Sequence, residues 1–184
     1  MSTLRLITTP YSFNKSLFEA YSDIFSLVND DDWVCFIDGD VAFLEMSDFG
    51  HIIQGYIDRY PETGLFTCYA SRCHYECQKT DFDMSTDSIK EVAKKTVAMR
   101  SKLWEYSTIE RRIAGHLIVM QKSTWNKIFP ILEINVLKKR KKILGFDTLL
   151  SNAVCYHGFD IKLMKGLFVF HYLRMLNGTN DKIE

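Results

Sequence analysis

The chain has 184 residues, enough for one ordinary domain and too few for two full ones. With 47% hydrophobic and 14% aromatic residues, and only 9 Gly and 3 Pro, its composition excludes a disordered or fibrous chain. Lys plus Arg and Asp plus Glu number 23 each, so no overall field attracts nucleic acid or an anionic membrane, and any affinity for polyanions must be local.

Five cysteines form an odd count without the spacing of a small secreted disulfide framework, which points to free thiols in a reducing compartment. The apolar residues after Met1 are interrupted at Arg5, Thr8, Thr9 and Pro10, so no signal core is visible. No run approaches the ~20 apolar residues of a membrane span. A soluble, cytoplasmic protein with no transmembrane segment is expected.

Strands alternate with helices along the chain. Leu4–Ile7 reads as a strand ended by Pro10, which lacks a ladder donor. From Ser16 the residues Leu17, Phe18, Tyr21, Ile24, Phe25 and Val28 share one helical stripe, and Ser16 with Glu19 has capping-box spacing. After the turn signal Asn29–Asp32, the apolar run Trp33–Ile37 has the length and continuity of a strand buried on both faces. Asp38-Gly39-Asp40 follows it, then the apolar stretch Val41–Leu44. Ser47 is expected to cap a helix that buries Ile52, Ile53, Tyr56, Ile57 and Tyr60 and ends near Pro61 and Gly64. Leu65–Tyr69 reads as the next strand.

The polar segment from Ala70 to Thr86 is long for a simple turn and suggests a functional loop. Ser88 and Glu91 repeat the capping spacing for a helix through Leu103. Gly115–Met120 contains a strand, Ser123 starts a short helix around Trp125 and Ile128, and Pro130 is expected to close it. Asp147 is expected to start a helix that Gly158 ends. Ile161–Met164 and Leu167–Phe170 read as two last strands, the second leading into His171. Interleaved strands and helices predict an α/β fold with a mixed, mostly parallel sheet flanked by helices, as a single domain over residues 1–184.

Asp38-Gly39-Asp40 is the first candidate for chemistry. It stands at the carboxyl end of a buried strand, where open α/β sheets place ligands. Its glycine leaves room for a sharp bend or a bulky ligand. Hard carboxylate oxygens suit Mg²⁺ or Mn²⁺ bridging to phosphate, and imidazole is better tolerated by Mn²⁺. The plain alternative is a turn between two strands. His171, at a second strand end, is a metal-competent side chain that the sheet can bring beside Asp40; alone it reads as a half-buried histidine bonded to a backbone carbonyl, the commoner fate of a single His. Asp147 either caps its helix or points into a cleft as a general base.

The order of the Ser16–Val28 helix, the apolar strand, Asp38-Gly39-Asp40, Ala114-Gly115-His116-Leu117-Ile118-Val119 and Gly145-Phe146-Asp147-Thr148-Leu149-Leu150, ending at His171, resembles family 2 glycosyltransferases and the polypeptide N-acetylgalactosaminyltransferases. The resemblance implies a GT-A-like fold and a DXD motif, with Asp38, Asp40 and His171 on a Mn²⁺ or Mg²⁺ ion. It also implies Asp38 at the donor ribose, Gly115 and His116 along the donor, and Asp147 as the base of an inverting transfer. A nucleotide-sugar donor follows, UDP-sugar being favoured, with an unknown acceptor.

Phe146 stands where the family has an acidic residue, and His116 where it has a second glycine. The Gln-x-x-Arg-Trp element of processive synthases is absent. The chain also starts late relative to that family, so Thr9-Pro10-Tyr11 would have to supply the nucleobase pocket, unless a partner does or the donor site is degraded. A nucleotidyltransferase or phosphohydrolase, or a degenerate glycan- or nucleotide-binding module, are the alternatives; a nucleic-acid acceptor and a homo-oligomer stay open. Three further signals are set lower. Cys68, Cys73, His74 and Cys77 invite zinc but lack Cys-x-x-Cys spacing. Lys138–Lys142 reads as a solvated basic loop or a lid on a diphosphate, and Trp104, Tyr106 and Trp125 as core rather than sugar-stacking faces.

Overall fold

The computed structural model describes residues 2–73, 75–80, 89–110, 112–138 and 145–172. In chain order these form β1 (Thr3–Thr8), α1 (Leu17–Ser26), β2 (Asp32–Ile37), β3 (Val41–Ala42), α2 (Phe49–Arg59) and β4 (Leu65–Ala70). They continue as α3 (Ile89–Met99), β5 (Tyr106–Ile109), β6 (Leu117–Gln121), α4 (Lys122–Lys138), α5 (Phe146–Tyr156) and β7 (Ile161–His171). The seven strands make one mixed sheet in the order β1-β2-β6-β4-β7-β3, with β5 also on β7. β1 runs parallel to β2 and β4 parallel to β7, while β6 lies antiparallel between β2 and β4. The expected α/β class with a mixed sheet flanked by helices is what forms, but the sheet is not mostly parallel: only β1–β2 and β4–β7 run parallel, and the β2–β6, β4–β6, β3–β7 and β5–β7 pairings are antiparallel.

Continuous apolar runs become central strands because both faces of the sheet are covered. Val34 and Phe36 of β2 face a core built with Tyr21 and Phe25 of α1, Trp125, Ile128 and Leu132 of α4, and Leu150 and Val154 of α5. Trp33 and Cys35, on the opposite face, pack with Ile52, Ile53, Tyr56 and Ile57 of α2. A smaller cluster joins Val92 and Met99 of α3 to Phe168 and Phe170 of β7. Ser16 caps α1, its Oγ accepting from the Glu19 N–H at 3.3 Å, while the Glu19 carboxylate accepts from Ser12 and Asn14.

Several expectations are corrected. Pro130 does not close a short helix: α4 continues to Lys138, because Ile128 and Leu132 on either side of the proline are both buried in the same core. The two last strands are one. Its register on β4 jumps between Met164 and Phe168, where a bulge absorbs Lys165, Gly166 and Leu167. Asp48, not Ser47, is the residue preceding α2, and its carboxylate pairs with Arg100 rather than capping. The third helix tightens into a 3-10 turn at Arg100–Lys102 before Leu103. Gly145, not Asp147, is the N-cap of α5. The strand β5 carries no sequence signal of its own: its Tyr-Ser-Thr-Ile run is β-branched and aromatic but only four residues long. Ser88, His74 and Lys139–Lys142 lie outside the described residues.

Candidate metal centre and its surroundings

The buried β2 run delivers Asp38 to the edge of the sheet, where its N–H donates to the His116 carbonyl at 3.1 Å. The Val41 N–H then donates to the Asp38 carbonyl at 3.2 Å, closing a turn into β3. β3 pairs antiparallel with the end of β7, setting Val41 opposite His171 and Ala42 opposite Phe170. The Tyr172 N–H donates to the Asp40 carbonyl at 2.8 Å, and the His171 N–H to Ser71 Oγ at 2.9 Å. The triplet is therefore both a turn between strands and a pair of carboxylates.

The turn leaves Asp40 Oδ1 3.3 Å from His171 Nε2. Asp38, Asp40 and His171 each offer one ligand atom, all within 4.8 Å of one another. Two carboxylates and one imidazole fit a divalent cation that accepts both oxygen and nitrogen, Mn²⁺ better than Mg²⁺. Burial raises the Asp38 carboxyl to about 6, with the neighbouring charges of Asp40 and then Asp147 adding to it. A cation in their midst would relieve that repulsion.

Asp147 lies on the first turn of α5, half-buried. Its Oδ1 accepts from the Thr148 N–H at 2.8 Å, and its carboxylate also accepts from the Gly115 N–H. Burial lifts its pKa above the usual carboxylate range, and these backbone donors oppose the rise. A Cβ at Gly145 would collide with Asp147 Oδ1, so glycine at that N-cap is what lets the carboxylate sit where it does. Tyr21, read from sequence only as a core residue, stacks on Phe36 at 3.7 Å and meets Phe146 edge-on at 4.9 Å. Its phenol is pushed up by burial and then by the charges of Asp38, Cys35 and Asp147, so it stands among the site's carboxylates.

A cavity of about 350 Å³ opens beside Asp38 and Gly39, lined also by Thr9, Ile37, Phe43 and Phe49. Of the three residues expected to supply a nucleobase pocket, Thr9 lines this cavity; Pro10 and Tyr11 are not in its wall, and Tyr11 is 79% exposed. Gly115 adjoins Asp147. His116, placed by resemblance along the donor, is instead 0% exposed and presents no surface to a ligand. Its Nε2 lies 3.1 Å from the Cys68 carbonyl, and its ring centroid is 5.6 Å from that of His171. Sequence reasoning missed Gln78, whose side chain joins this buried layer, and Ser71. Polar residues in a loop of that length gave the general region but no particular residue.

The five cysteines are all unpaired thiols, with Cys35, Cys68 and Cys73 buried. Trp125 is core and Trp104 packs against the core, as read, with the Arg59 guanidinium 3.9 Å above its ring; Tyr106 is instead exposed. No helix among the described residues is long and apolar enough to cross a membrane. No protein-family model matches the chain, and no curated protein matches it.

Proposed function

We propose that this protein is a GT-A-type glycosyltransferase that moves a sugar from a nucleoside-diphosphate donor, a UDP-sugar being favoured, to a hydroxyl acceptor with inversion. The observation that carries this reading is the meeting of Asp40 and His171 at 3.3 Å, with Asp38 beside them, at the ends of two strands. Asp38, Asp40 and His171 would hold the cation, which when bound neutralises charge developing on a departing diphosphate. The cavity past Thr9 and Gly39 would take the nucleoside. Asp147, with a carboxyl raised by burial, accepts the proton of the attacking hydroxyl. Five unpaired thiols support a reducing, cytoplasmic setting.

The test is a thermal-shift panel of UDP-, GDP-, CMP- and dTDP-sugars with and without Mn²⁺, followed by product analysis. Stabilisation by one nucleotide only with the cation, and release of nucleoside diphosphate on adding acceptor, is the expected result. Release of pyrophosphate would replace it with nucleotidyl transfer, and binding without any turnover with a binding module.

A further inference from the structure

His116 touches both halves of the candidate centre from inside the protein. Its carbonyl accepts the Asp38 N–H at 3.1 Å, at the turn that aims both carboxylates. Its imidazole packs against the His171 ring, with centroids 5.6 Å apart and planes tilted by 38°. The Cys68 carbonyl can only accept, so the proton of His116 resides on Nε2, 3.1 Å away. Nδ1 is then a bare acceptor, buried and without a hydrogen-bond partner among the described residues. An imidazole held neutral in a wholly buried position with one nitrogen unspent is a costly way to fill space that an apolar side chain would fill better.

The ring is also fixed from behind. The Gln78 side chain, 0% exposed, donates from Nε2 to Thr67 Oγ1 at 2.8 Å and to the Ala114 carbonyl at 3.3 Å, while its Oε1 accepts the Ala114 N–H at 2.6 Å. Thr67 Oγ1 in turn donates to the Leu117 carbonyl at 2.8 Å. Gln78 thus holds the backbone directly at Ala114 and, through Thr67, at Leu117, on either side of His116, with its Nε2 3.5 Å from the imidazole Nε2.

We propose that His116 is a positioning residue for the cation centre, its main chain setting Asp38 and its imidazole setting the ring of His171. The inference rests on the metal reading given above. It assigns to a wholly buried residue the control of how well the three candidate ligands converge, as groups behind metal ligands commonly do.

The test is Mn²⁺ affinity, read by electron paramagnetic resonance on the full chain without nucleotide, together with the visible spectrum of the Co²⁺ form, for wild type, His116→Gln and Gln78→Met. Gln at 116 can keep the donor to Cys68 while removing the ring. We expect His116→Gln to bind Mn²⁺ roughly 10- to 100-fold more weakly and to alter the Co²⁺ bands. Gln78→Met, which leaves every candidate donor and His116 in place, should shift both readouts in the same direction by less. Lowered melting temperatures with wild-type Kd and unchanged Co²⁺ bands in both variants would make the cluster merely structural and overturn the inference. If His116→Gln does not fold, Gln78→Met decides alone by the same criteria. A wild-type protein that binds no Mn²⁺ overturns the metal reading and this inference together, an outcome distinct from wild-type binding that the variants leave unchanged.

Discussion

Asp38 is held in a setting that disfavours its own charge: burial, Asp40 and Asp147 all raise its carboxyl, to about 6. Replacing it with a neutral amide of the same shape removes that opposition. Asp38→Asn in the presence of a chelator should therefore be more stable than wild type at neutral pH, by about 1–2 kcal/mol in urea unfolding. The same variant should lose stabilisation by Mn²⁺; a chelated Asp38→Asn protein less stable than wild type would remove the idea of opposed charge. Gly145→Ala addresses Asp147 by geometry instead. Since a Cβ would force the carboxylate to turn, the proposed transfer activity should fall on the order of 100-fold while stability changes by less than about 1 kcal/mol. Retained transfer would show that the carboxylate's orientation does not matter.

His116 gives a pH dependence at the same scale. Burial, then the charge of His171, lowers its pKa to about 3, with the Cys68 bond opposing. Below the ordinary histidine value the unfolded chain takes up a proton that the folded protein refuses, so this contribution to stability falls as pH drops from about 6.5 towards 3. The raised carboxyls of Asp38 and Asp147 work the other way, favouring the fold in acid and losing that advantage as pH rises through their native values. The histidine contribution is therefore read as a difference: the stability gap between wild type and His116→Gln should shift against wild type by up to about 3 kcal/mol from pH 7 to pH 4. A constant gap would mean that His116 titrates normally.

Among the elements, β7 carries the most consequence. Its bulge brings Gly166 against Leu103, where a Cβ would stand 2.7 Å from the Leu103 Cα, and the Gly166 N–H donates to the Tyr56 hydroxyl at 3.1 Å. A backbone atom cannot step aside as a side-chain tip can. Gly166→Ala should cost about 2–4 kcal/mol in chemical denaturation; a loss under about 0.5 kcal/mol would show that the bulge is free to shift. The sequence pattern located both apolar stretches of this strand, yet a glycine between them reads as a break unless the partner strand is known. Pro130 misled in the opposite sense, since the local rule against proline inside a helix is outweighed by Ile128 and Leu132 packing on either side of it. β5 was invisible because its pairing with β7, not its own four residues, makes it a strand.

For the whole molecule, one sheet is shared by two large cores, with Val34 and Phe36 turned to one and Trp33 and Cys35 to the other. Neither core can be lost without stripping a face from the same strands. Unfolding should therefore be a single transition, with far-UV circular dichroism and the fluorescence of Trp33 and Trp125, one in each core, giving coincident curves. Separate midpoints for single-tryptophan variants would show two independent units. The class of fold was readable at this scale because buried strands and amphipathic helices alternate along the chain. The meeting of Asp40 with His171 was only conditional there: strand ends can be located in a sequence, but the order in which strands lie side by side cannot.

The pairing of β3 with β7 is just two residue pairs long, yet it joins a turn near the start of the chain to the end of its last described strand. Asp38 and Asp40 therefore share a site with His171 only once these two distant segments have paired. A chain stopping short of residue 171 would keep both carboxylates and lose the imidazole, along with the β3 pairing that gathers them.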